Sequence, residues 1–65
     1  MSKVSLFKIR IVKAIKHGNN DERYIAEACK VGFNIFDFHN AMKMLQYEGK
    51  IKYNSTIEGY ELCNQ

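Results

Sequence analysis

Apolar residues recur along this chain with two different periods, and the change of period divides it. Val4, Phe7, Ile11, Ala14 and Ile15 follow 3.6-residue spacing, which predicts a helix over residues 3–17. Ser2 or Ser5 can cap its start, and Gly18 can take the left-handed position past its end. A second helix is expected over 21–31. Asn20 or Asp21 can cap it, Asp21 and Glu22 place negative charge in its first turn, and Ile25, Ala28 and Cys29 make one apolar face before Gly32. Asn34 opens a third helix over 34–48, with Asp37 three residues on as in a capping box. Its core stripe is Ile35, Phe38, Ala41, Met42 and Leu45, ending near Gly49. Over 50–63 the period falls to two. Ile51 and Tyr53, then Tyr60 and Leu62, alternate with Lys52 and Glu61 around a polar Asn54-Ser55-Thr56 tip and Gly59, the pattern of a β-hairpin. Two strands alone are marginal in water, so this hairpin must pack on the helices.

The expected fold is therefore mainly α with a small β-hairpin, one domain over residues 1–65. A chain of 65 residues buries only about 60% of the surface its unfolded form exposes, so the core must be efficient. The composition is globular, at 46% hydrophobic and 26% charged with no proline, which leaves little that reads as linker. No apolar run approaches the roughly 20 residues of a membrane span, and the start of the chain has no signal-peptide pattern, so a cytoplasmic protein is expected. Cys29 and Cys63 stand alone, and His17 and His39 lie far from each other in sequence. That spacing suits no metal site, and a buried Cys29 acting as a small hydrophobe is the simpler reading.

The stretch Ala28-Cys29-Lys30-Val31-Gly32-Phe33-Asn34, followed by Phe38, Ala41-Met42, Leu45 and Glu48-Gly49-Lys50-Ile51, resembles the helix-turn-helix and the start of the wing in winged-helix regulators of the small bacterial, phage and archaeal type. The spacing also has direct physical reasons. Gly32 frees the turn, Ala28 keeps the helix contact close, and Glu48-Gly49 ends the third helix so that Ile51 can begin a strand. The resemblance implies a three-helix core with a C-terminal wing. This chain departs from the family pattern at Glu27, where an apolar residue is usual, and Ile25 is placed to supply that contact through a small rotation of the second helix. The family often has a short strand between the first two helices. Asn19-Asn20-Asp21 has poor strand propensity, so that strand is expected to be minimal or absent.

With the core stripe turned inward, a 100° step per residue puts Phe36, Asn40, Lys43 and Tyr47 on the opposite side of the third helix, flanked by His39 and Met44. The resemblance implies that this helix enters a DNA major groove. Asn40 would read adenine, Lys43 would meet guanine or phosphate, Tyr47 would meet phosphate, and the wing tip with Lys52, Asn54, Ser55 and Thr56 would touch the adjacent backbone or minor groove. The charge balance pulls the other way. Helix 34–48 carries Asp37 and Glu48 against Lys43, and phosphate attraction dominates DNA affinity. An exposed Phe36 beside Met44 and Tyr47 suits a protein partner instead, unless Phe36 folds back on the wing and the polar residues are ordinary surface.

Net charge is +3 and the isoelectric point is near 9.0, a mild basic excess. Five of the ten bases, Lys3, Lys8, Arg10, Lys13 and Lys16, lie in the first helix. Leu6 and Ile9 project there away from its core side, and a helix apolar on two sides is usually buried on two sides. A homodimer seam is one use of this surface, and cover by the wing is the other. Catalysis needs convergent titratable groups in a pocket, and this chain has neither paired histidines nor a phosphate-cradling glycine loop. The expectation is a transcriptional regulator on duplex DNA, with no cofactor, small-molecule substrate or membrane. The competing expectation is a protein-binding module of the compact kind that phages and mobile elements use.

Overall fold

The computed structural model describes residues 3–63. Its elements run α1 (Lys3–Lys16), α2 (Glu22–Ala28), α3 (Ile35–Tyr47), β1 (Ile51–Asn54) and β2 (Gly59–Leu62). Three helices and a two-stranded antiparallel hairpin make a mainly helical α+β fold. None of the helices is long and apolar enough to cross a membrane.

α1 buries Phe7, Ile11, Ala14 and Ile15, the stripe its period predicts. Ser2, one of the two serines expected to cap it, lies outside the described residues. Ser5 sits inside the first turn and so is not the cap. The C-terminus closes as expected at Gly18, with φ 98°. Gly18 N–H donates to the Ile15 carbonyl at 2.9 Å and Asn19 N–H to that of Ala14 at 3.0 Å, which satisfies carbonyls the helix leaves open. The same closure ends α3, where Lys50 N–H reaches the Leu45 carbonyl at 2.9 Å.

α2 is capped by Asp21, whose carboxylate accepts from Arg23 N–H at 2.8 Å. The helix ends three residues before the expected Val31. Its last turn tightens into bonds from Cys29 N–H to the Ala26 carbonyl and from Lys30 N–H to that of Glu27, a three-residue spacing that stops an α-helix. Its buried face is also rotated from expectation. Ile25 and Cys29 are fully buried and Ala26 packs beside them, while Ala28 is exposed.

α3 buries Phe38, Ala41, Met42 and Leu45. Ile35, expected in that stripe, is 47% exposed. It is the first residue of the helix, and its side chain points back past the N-terminal end, beyond the neighbours that cover the rest. Phe33, in the turn before α3, closes this end of the core, with its ring 6.4 Å from Phe7 and 5.5 Å from Phe38.

β1 pairs with β2 in the register Ile51↔Leu62 and Tyr53↔Tyr60. Ile51 is buried, and Tyr60 and Leu62 pack against the helical core. Lys52 and Glu61 form an ion pair on the other face at 3.5 Å. No strand lies between α1 and α2, yet Asn20 does the work of one residue of it. The Asn20 carbonyl accepts from Tyr60 N–H at 2.8 Å, and its side-chain amide donates back to the Tyr60 carbonyl at 2.6 Å. Gly59 makes this approach possible, because a Cβ there would lie 2.7 Å from the Asn20 carbonyl oxygen.

Two substitutions in the hairpin should act in opposite directions. Gly59→Ala forces a methyl group into the Asn20 backbone and should cost about 1–3 kcal/mol in urea unfolding. Glu58 is the one non-glycine residue at positive φ among the described residues, at 52°, so Glu58→Gly should stabilise the fold by about 0.5–1 kcal/mol.

Candidate functional site

The largest exposed set of chemically distinctive side chains lies on α3. Its start is fixed by Asn34, whose side-chain oxygen accepts from Phe36 N–H at 2.9 Å and Asp37 N–H at 3.1 Å. From there Phe36, Asn40, Lys43 and Tyr47 follow at intervals of four, three and four residues, which puts all four on the side opposite the core. The two ends of this row stand about 16 Å apart along the helix axis. Phe36 is 77% exposed and Tyr47 94%, so Phe36 does not fold back on the hairpin. Met44 flanks the row at 43% exposure. His39 flanks its other side, its ring set edge-on to Phe38 at 5.8 Å.

The charge of this face differs from the sequence expectation. α3 ends at Tyr47 and Glu48 is its C-cap. The Glu48 carboxylate turns toward α1, accepting a 2.8 Å hydrogen bond from Lys8 Nζ, with Lys50 Nζ at 3.9 Å. The Lys8 hydrogen bond comes first in holding the Glu48 carboxyl below its ordinary range, followed by the nearby positive charges of Lys8 and Lys50. Within α3 one cation, Lys43, then stands against one anion, Asp37, which is half-buried in the first turn. The helix is neutral, not negative.

The hairpin residues expected to join α3 divide by role. Lys52 is tied to Glu61 across the strands. The Asn54 side chain accepts from Thr56 N–H at 2.9 Å and so shapes the turn, while Ser55 is exposed at the tip. Tyr53, which the sequence reading left out of the site, is 55% exposed and meets Tyr60 edge-on at 5.4 Å. Its two-residue alternation with Ile51 suggested burial, but the strand extends past the helices by the time it reaches Tyr53.

α1 and α3 pack through their buried faces, so their outer sides look away from each other. Lys3, Lys13 and Lys16 are exposed on α1, apart from the α3 row. Arg10 is tied to the α2–α3 turn by a 3.1 Å hydrogen bond to the Val31 carbonyl. Ile9 is 55% exposed, whereas Leu6 is half-buried. The hairpin reaches α1 beside Val12 and leaves Ile9 open.

Among the described residues no three His, Cys, Asp or Glu side chains gather as a metal-binding group. Cys29 is buried, and burial pushes its thiol up from its ordinary range. No family model, curated protein or solved structure matches this chain.

The Lys8–Glu48 tie should leave a signature in pH titration. The folded carboxyl titrates below the unfolded one, so its contribution is complete above the ordinary carboxylate range and is lost as pH falls through the lowered folded value. Glu48→Gln should therefore melt below the parent chain at neutral pH, and the two melting temperatures should converge in acid.

Proposed function

We propose that this chain is a winged-helix protein that binds duplex DNA and regulates transcription, with α3 as the recognition helix and the β1–β2 hairpin as the wing. The observation that carries this reading is the outward row Asn40, Lys43 and Tyr47 on a helix whose C-cap acid, Glu48, is drawn off by Lys8. A major groove about 12 Å wide admits one α-helix. Within it, the Asn40 amide can pair with the N6 and N7 edge of adenine, and Lys43 can meet guanine or a phosphate. The Tyr47 hydroxyl can donate to phosphate. His39 flanks the row within reach of the same backbone. Lys52, Asn54 and Ser55 sit on the hairpin that would lie along the neighbouring strand.

A second reading is favoured by a specific observation, the exposure of Phe36 and Tyr47 at the two ends of the same row with Met44 between them. Aromatic and methionine side chains are enriched at protein interfaces, where a few such anchors carry most of the energy. On this reading the face docks another protein.

Fluorescence anisotropy with mixed-sequence duplexes at low and near-physiological salt separates the two. For DNA, affinity should fall steeply with salt. Lys43→Ala should reduce the salt slope by about one, and Asn40→Ala should cost about 1–3 kcal/mol and relax sequence preference. For a protein partner, the duplex should not bind even at low salt, and Phe36→Ala should weaken the complex by about 2 kcal/mol or more. All three side chains are exposed, so each variant should keep the circular dichroism of the parent.

A further inference from the structure

The side of the molecule away from the α3 row carries a groove of its own. It runs between α1 and the end of α3, encloses ≈ 480 Å³, and is lined by Ser5, Lys8, Ile9, Val12, Leu45 and Lys50. Val12 and Lys50 continue it into a second hollow of ≈ 320 Å³ that ends at Leu62 and Cys63 on the hairpin. The floor is apolar. Ile9, 55% exposed, forms its rim on α1, and Val12 and Leu62 pack at the edge of the core.

The charge around this floor is one-sided. α1 contains no acidic residue, and Lys16 follows Ile9 by seven and Val12 by four positions, on the same side of the helix and exposed. Lys8 and Lys50 border the groove, with Glu48 as the acid that meets both. An apolar trough between a helix and a hairpin suits an amphipathic helix laid along it, anchored by apolar residues at three- and four-residue spacing. The lysines select the sign of its polar face. A second copy laying its own α1 here would bring lysines toward lysines, with α1 carrying no carboxylate and Glu48 already shared by Lys8 and Lys50.

We propose that the α1 groove docks an acidic amphipathic helix of another protein, and that this surface is separate from the α3 face. Ile9 and Val12 supply the apolar contact, while Lys16 and Lys50 meet carboxylates on the incoming helix.

The test uses the full chain labelled with nitrogen-15 and a synthetic glutamate- and leucine-rich peptide with leucines at helical three- and four-residue spacing. A scrambled peptide of identical composition, which has no apolar face, is the control. The designed peptide should shift the amide signals of Ile9, Val12, Lys50 and Leu62 and leave Asn40 and Lys43 in place. It should bind at least about tenfold more tightly than the scrambled one. Ile9→Ala should weaken it at least about fivefold, as loss of an apolar anchor does, and Lys16→Gln should flatten its salt dependence. Neither side chain is in the core, and unchanged melting of both variants checks that the fold persists. Equal binding of the two peptides would reduce the groove to a diffuse positive charge and overturn the proposal. So would indifference to Ile9→Ala, shifts confined to α3, or no shifts at millimolar peptide. A concentration-dependent dimer in sedimentation that Ile9→Ala dissociates would also overturn it, by assigning the groove to a second copy.

Discussion

α2, α3 and β2 each bury an apolar side against α1, and β1 reaches the core through α3. α2 is only seven residues long, well below the length at which an isolated helix holds together in water, and the hairpin has only two strands. Phe7 and Ile11, at 1% and 0% exposure, supply the surface on which α2, α3 and β2 converge. The fold thus forms cooperatively or not at all. A cavity at Ile11 would open within one continuous cluster that also holds Ile25, Phe38, Leu45 and Ile51.

Much of this was legible in the residues, for identifiable reasons. The 3.6-residue stripes of α1 and α3, the Asn34 cap and the alternation after Gly49 are local signals, and each sets local backbone geometry whatever surrounds it. The parts that escaped depend on neighbours. Ala28 reads as a core residue by spacing, but α2 is rotated so that Ala26 packs instead. Ile35 reads the same way and lies past the edge of what covers α3. The bonds between Asn20 and Tyr60 join residues forty positions apart, and nothing in Asn19-Asn20-Asp21 announces them.

The candidate surface divides along the same line. Periodicity alone placed Phe36, Asn40, Lys43 and Tyr47 together, since all four sit on one rigid helix. It could not place Glu48, whose charge is set by Lys8 on another element, so the balance of the α3 face was misjudged by one carboxylate. The groove beside Ile9 was half visible as a second apolar side of α1. Its other wall, from Leu45 and Lys50 to Leu62, exists only once the hairpin has docked.

That docking is held at one point where two backbones come within a hydrogen bond of each other, with Gly59 against Asn20. Such a contact tolerates little sliding, since Asn20 is gripped through both its carbonyl and its side chain. The hairpin is therefore registered to the helices by the loop between α1 and α2 as well as by the apolar contacts of Ile51, Tyr60 and Leu62. A swing of the hairpin away from the helices would have to break both Asn20 bonds together.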